Sequence, residues 1–167
     1  MLGCDLRSQV PEMAKFPKKY IKHGEFTLHS GQRSDTLYDV NEMLTDEGEL
    51  QKILSAFPWQ VDTCVGVATG GAIIASHMIK YGMHFVMVKD GELKGEIQGS
   101  YCLVDDVVTT EASIREALKI IADSVRPSAC DSELSPSAPR VRKPRYIFVV
   151  VDRRRKKILK INSMFLK

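Results

Sequence analysis

A chain of 167 residues with 44% hydrophobic and 27% charged side chains suits one domain with a real core. A formal net charge of +3 is too small to argue for nucleic-acid binding, and Cys4, Cys64, Cys102 and Cys130 show neither zinc-ligand spacing nor a disulfide framework. No stretch approaches about 20 apolar residues, and Asp5 and Arg7 interrupt the start, so the expectation is a cytoplasmic protein without membrane span or signal peptide.

In chain order, residues 13–22 form a basic, partly amphipathic stretch predicted as a helix, broken near Pro17 and ended by Gly24. Short strands are predicted at 26–28 and 36–40, around a Ser-Gly turn. Residues 46–57 open with acidic side chains and repeat Leu50, Ile53 and Leu54 at helical spacing, which predicts a helix stopped by Pro58. Beyond it the pattern alternates: strand 63–68, helix 71–81, strand 84–88, strand 101–104, helix 113–124 and strand 146–151. Ile114, Ala117, Leu118 and Ile121 share one face of the last helix.

Near-continuous apolar strands joined by helices imply an α/β fold, a parallel-rich twisted sheet flanked by helices, with ligands at the carboxyl ends of the strands. Residues 125–144 hold Pro127, Pro136, Pro139 and Pro144 with several serines and read as a flexible loop inserted before the final strand. Arg153, Arg154, Arg155, Lys156 and Lys157 form a charge run. A solvated surface is the favoured reading over a nucleic-acid patch, because no aromatic residues are interleaved.

Chemistry concentrates in residues 101–113, Tyr-Cys-Leu-Val-Asp-Asp-Val-Val-Thr-Thr-Glu-Ala-Ser. An apolar run ends in Asp105 and Asp106, and the hydroxyl-rich turn Thr109–Thr110 opens a helical pattern at Ser113. Carboxylates suit ribose hydroxyls or a hydrated Mg²⁺, and the free N–H groups of a helix start suit a phosphate. A plain solvated strand end is the weaker alternative. Gly70 and Gly71, after Thr69, permit close backbone approach to an anion, although a simple strand-to-helix turn would also use them.

The order of these residues resembles the phosphoribosyl-diphosphate (PRPP) signature of type I phosphoribosyltransferases. Residues 24–39, Gly-Glu-Phe-Thr-Leu-His-Ser-Gly-Gln-Arg-Ser-Asp-Thr-Leu-Tyr-Asp, resemble the amino-terminal signature of the orotate phosphoribosyltransferase family. Residues 65–72, Val-Gly-Val-Ala-Thr-Gly-Gly-Ala, are similar to its diphosphate loop, and Val149-Val150-Val151-Asp152-Arg153 to its late strand. The resemblance runs from residue 22 to 153, in the family's order.

It implies a type I phosphoribosyltransferase-like domain spanning 1–167 with a small amino-terminal hood at 1–45, Mg²⁺ as cofactor and a homodimer. The implied reaction transfers ribose 5-phosphate from PRPP to orotate in pyrimidine nucleotide biosynthesis. PRPP then falls to Thr69, Gly70, Gly71, Asp105, Asp106, Val107, Val108, Thr109, Thr110, Glu111, Ala112 and Ser113, with Asp105 and Asp106 meeting the metal through water or PRPP. Orotate falls to His29, Ser30, Gly31, Tyr38, Thr109 and Arg153, and the catalytic set is Asp105, Asp106, Lys89 and Lys94.

Three departures accompany the resemblance. His29 stands where the family has a lysine, Glu111 and Ala112 stand where it has small residues, and residues 89–99 are a shortened lid whose cations are Lys89 and Lys94. A carboxylate beside a phosphate repels it unless turned away or neutralised. The alternative these departures leave open is a catalytically weak or silent phosphoribosyltransferase-like protein that binds PRPP or a nucleotide, or serves in an assembly.

Overall fold

The computed structural model describes residues 16–28, 31–57, 60–124 and 143–154 in full, and the backbone of 162–166. Two antiparallel strands, β1 (Ile21–Thr27) and β2 (Arg33–Tyr38), form a small separate sheet. The main sheet has the order β5-β4-β3-β6-β7-β8, from β3 (Thr63–Val67), β4 (His84–Lys89), β5 (Glu92–Lys94), β6 (Tyr101–Val108), β7 (Ile147–Asp152) and β8 (Asn162–Leu166). Every neighbouring pair in it is parallel except β4–β5.

Alternate side chains of the central strands enter two cores, as a period of two requires. Cys64, Cys102 and Phe148 face α1 (Val40–Met43), α2 (Glu47–Ala56) and α3 (Gly70–His77) through Val40, Met43, Ile53, Leu54 and Ile74. Val65, Leu103 and Val149 face α4 (Ala112–Ser124) through Ile114, Ala117 and Ile121. Each fully buried branched side chain contributes about 1.5–3 kcal/mol. A parallel-rich sheet covered by helices is therefore the fold, and no helix among the described residues is long and apolar enough to cross a membrane.

Several predicted boundaries move. The described part of the predicted 13–22 helix is a 3-10 turn, Lys18–Tyr20, followed directly by β1. Pro17 presets an extended entry, and pairing of Ile21 with Tyr38 then wins over helix propensity. The strand predicted at 36–40 stops at Tyr38, because the Asp39 carboxylate accepts from Glu42 N–H and starts α1 at Val40. The helix predicted to Tyr81 is α-helical to His77 and 3-10 from Met78 to Tyr81, where Gly82 closes it at φ +83°.

Strand β6 runs four residues past the predicted end at 104, since β7 keeps offering partners: Asp105 to Val149, Val107 to Val151 and Val108 to Asp152. Two strands were not predicted. β5 folds back on β4 through a turn with Asp90 at φ +52° and Gly91 at φ +77°, and β8 lies parallel to β7. The loop predicted at 125–144 lies outside the described residues except for 143 and 144.

Candidate active site

From β3 the chain crosses by α3 to β4 on one side, whereas β6 lies on the other side of β3 and leads by α4 to β7. The order reverses between β3 and β6. A crevice opens at such a point, beyond the carboxyl ends of the strands. Asp105 and Asp106 stand in the last half of β6, and the turn 68–70 follows the end of β3.

The alternation of β6 sends its two carboxylates to opposite faces. Asp105 is 5% exposed; its Oδ2 accepts from Ser113 Oγ at 3.0 Å and its Oδ1 from Asp106 N–H at 2.9 Å. Burial, and then the Asp106 carboxylate beside it, push the Asp105 carboxyl well above the usual range. Asp106, half-buried, faces α3, where an added Cβ at Gly70 would lie 2.4 Å from its Oδ2. At Gly71 an added Cβ would lie 2.2 Å from Val104 O and 2.9 Å from Asp105 Cα. The glycine turn is thus packed directly onto the strand end that carries the carboxylates, a closeness only glycine permits. Thr69 is exposed beside it, and the Ala68–Thr69 peptide is cis.

Val107 and Val108 close β6, and Thr109 and Thr110 lead to α4, whose first-turn N–H groups have no intrahelical partner. Thr110, Ala112 and Ser113 are exposed, Thr109 is half-buried and Glu111 is buried. On the hood side, the Arg153 guanidinium lies 4.9 Å over the Tyr38 ring and donates to Ser34 Oγ at 3.2 Å and Thr36 O at 3.3 Å. Gly31, exposed at φ +76°, turns between the two hood strands. His29 and Ser30 lie outside the described residues.

Lys94 is not brought to Asp105. Lys94 is on edge strand β5, exposed and paired with Glu92, and Lys89 ends β4. At about 4.8 Å per strand, β5 is roughly 14 Å from β6.

No protein-family model matches the chain. An orotate phosphoribosyltransferase of Picrophilus torridus is 31% identical over 117 residues, which cover 62% of this chain and 70% of that one. The chain belongs to the orotate phosphoribosyltransferase family. The fold agrees: the crystal structure of orotate phosphoribosyltransferase from Aeropyrum pernix superposes with a TM-score of 0.62 at 22% identity, covering 81% of this chain and 77% of that one. An adenine phosphoribosyltransferase of Saccharomyces cerevisiae reaches a TM-score of 0.55 at 18% identity over 81% and 85% of the two chains, so the fold by itself does not choose the base.

Within this family member, Glu111 is turned inward and neutralised. Its side chain is 4% exposed; Oε1 accepts from Arg154 Nη1 at 2.5 Å and Oε2 from Arg115 Nη2 at 2.9 Å. Arg154 also forks onto Asp152, Nε to Oδ1 at 2.9 Å and Nη2 to Oδ2 at 2.8 Å. The predicted solvated reading of the 153–157 run therefore fails at Arg154, which is 7% exposed, because two buried carboxylates require its charge. Arg155, Lys156 and Lys157 lie outside the described residues. The sequence signal for the network was slight: Asp152 and Arg154, two apart at a strand end, share a side.

Proposed function

We propose that the protein is an orotate phosphoribosyltransferase that transfers ribose 5-phosphate from PRPP to orotate, releasing diphosphate, in pyrimidine nucleotide biosynthesis in the cytoplasm. The observation that carries this reading is the packing of the glycine turn onto the strand end that bears the carboxylates, Gly70 against the Asp106 side chain and Gly71 against Val104 O and Asp105 Cα. The hood, residues 1–45, then contributes Tyr38 and Gly31 to the base end.

In this assignment Asp105 and Asp106 hold the ribose hydroxyls, and the turn at exposed Thr69, backed by the buried Gly70 and Gly71, meets the diphosphate. Thr109, Thr110, Ala112 and Ser113 wrap the 5′-phosphate at the start of α4. Arg153 offers its planar fork to the orotate carboxylate, with Tyr38, His29, Ser30 and Thr109 around the ring. Among the described residues no group of three or more His, Cys, Asp or Glu side chains could cage a metal. The half-buried Asp106, beside the glycine turn, fits Mg²⁺, which keeps waters and substrate oxygens in its shell and needs only one or two protein carboxylates. When bound, Mg²⁺ supplies charge neutralisation to the diphosphate leaving group. Lys94, on the edge strand, would serve the site of a second copy in a homodimer, together with Lys89.

The test is turnover of orotate with PRPP and Mg²⁺ by the purified protein, against the Asp105→Asn/Asp106→Asn double variant. A loss of about 10²- to 10³-fold is expected in the variant. Wild-type turnover no higher than that of a folded double variant overturns the assignment.

A further inference from the structure

Glu111 is the last residue of the loop between β6 and α4, at φ +66°, a left-handed conformation that residues with a Cβ rarely adopt. The loop holds it there through two arginines from different elements: Arg115, one turn into α4, and Arg154, just past β7. Arg154 is fixed in turn, since its side chain forks onto both Asp152 oxygens and its backbone N–H donates to Asp152 Oδ1 at 3.0 Å. Asp152 is the register partner of Val108, the residue from which the loop departs.

Arg153 lies between these two clamped residues. Its N–H donates to Val108 O at 2.8 Å, and its side chain points the other way, to Ser34, Thr36 and Tyr38 of the hood. The alternation that sends Asp152 and Arg154 toward Glu111 therefore sends Arg153 toward the hood. Loop and arginine are joined through one ionic network and one backbone hydrogen bond.

We propose that Glu111, Arg154 and Asp152 are positioning residues that lock loop 109–111 and Arg153 into one frame, setting the separation between the phosphate end and the base end of the substrates. This rests on the reading of that loop as phosphate-binding and of Arg153 as carboxylate-binding. The network itself touches neither substrate group: it acts through the loop backbone and through Arg153.

Two backbone amides report the frame directly: Arg115 N–H, bonded to Glu111 O at 2.9 Å, and Arg153 N–H, bonded to Val108 O. In Glu111→Gln, which keeps the shape and loses the charge, hydrogen exchange at both amides should accelerate together by about tenfold or more, while amides of β3 keep their protection. Acceleration at Arg115 alone would reduce Glu111 to a local helix cap, and uniform acceleration across the chain would reduce it to general stability; either overturns the proposal. Arg154→Lys, which keeps the charge but loses the fork, should loosen the same two amides by a smaller factor, and no change there counts against the frame. In turnover assays normalised to folded protein, KM for PRPP and KM for orotate should both rise about tenfold in Glu111→Gln, with a smaller change in kcat. A rise in only one KM, or in neither, overturns the proposal. Should the wild type turn over no orotate, the functional assignment falls, and the exchange experiment still decides whether the frame exists.

Discussion

At Gly71 an added methyl group would lie 2.2 Å from the Val104 carbonyl oxygen, and backbone cannot yield as a side chain does. Gly71→Ala is therefore expected to cost about 1–3 kcal/mol in urea unfolding. At Gly70 the obstacle is the Asp106 side chain, with Oδ2 at 2.4 Å and Cγ at 2.5 Å, so Gly70→Ala should displace a carboxylate at a smaller cost in stability. Under the proposed function this second variant loses more activity than stability. Equal unfolding midpoints for the two variants would show that the turn is less tightly seated on β6 than the geometry indicates. These residues were legible as a ligand turn only when taken with Asp105 and Asp106; alone, two glycines after a strand mark any turn.

Among the elements, the junction of β6, α4 and β7 depends on a buried cation between two carboxylates. Burying such a group is costly, and removal of one partner leaves the others uncompensated. Arg154→Met should destabilise the protein by about 3–5 kcal/mol, and adding Glu111→Gln should recover part of that loss, measured by chemical denaturation. Strictly additive effects would show that Arg154 and Glu111 do not interact. Helices α2 and α4 were readable from their spacing because a 3.6-residue period is a local property of the chain. β5 has only three residues, too few for a period to show, and β8 follows a charge run that carried no strand pattern before its partner β7 was in place.

Across the whole molecule, the hood and first helices are tied together by carboxylates that also cap those helices. The Lys22 ammonium and the Glu42 N–H hold Asp39 below the usual carboxylate range; Lys19, the Tyr20 hydroxyl and the Glu49 N–H do so for Asp46. A depressed folded value means that the stabilisation is present above the unfolded value of about 4 and is lost as pH falls through the folded one. Amide protection in β1 should therefore decline below about pH 4 before protection in β3 does, and 0.5 M salt at neutral pH should weaken the exposed ties only slightly. Simultaneous loss in both strands would mean that these pairs do not anchor the hood.

What the chain determined by itself was local: apolar runs of strand length, helical periods, and the succession of Asp105, Asp106, Thr109, Thr110 and Ser113 at a strand-to-helix junction. Neighbours in sequence are necessarily neighbours in space, so their chemistry could be read in order. The rest depended on contacts between distant segments. Glu111 meets Arg154 across 43 residues and Arg153 meets Ser34 across 119, and no spacing rule reaches that far. Only the tertiary structure decided that Glu111 turns inward to a cation, that one arginine of a charge run is core and the next faces the hood, and that pairing with β7 carries β6 beyond its apolar run. In each case the deciding free energy is the cost of burying an unpaired charge or peptide group, which depends on what packs against it.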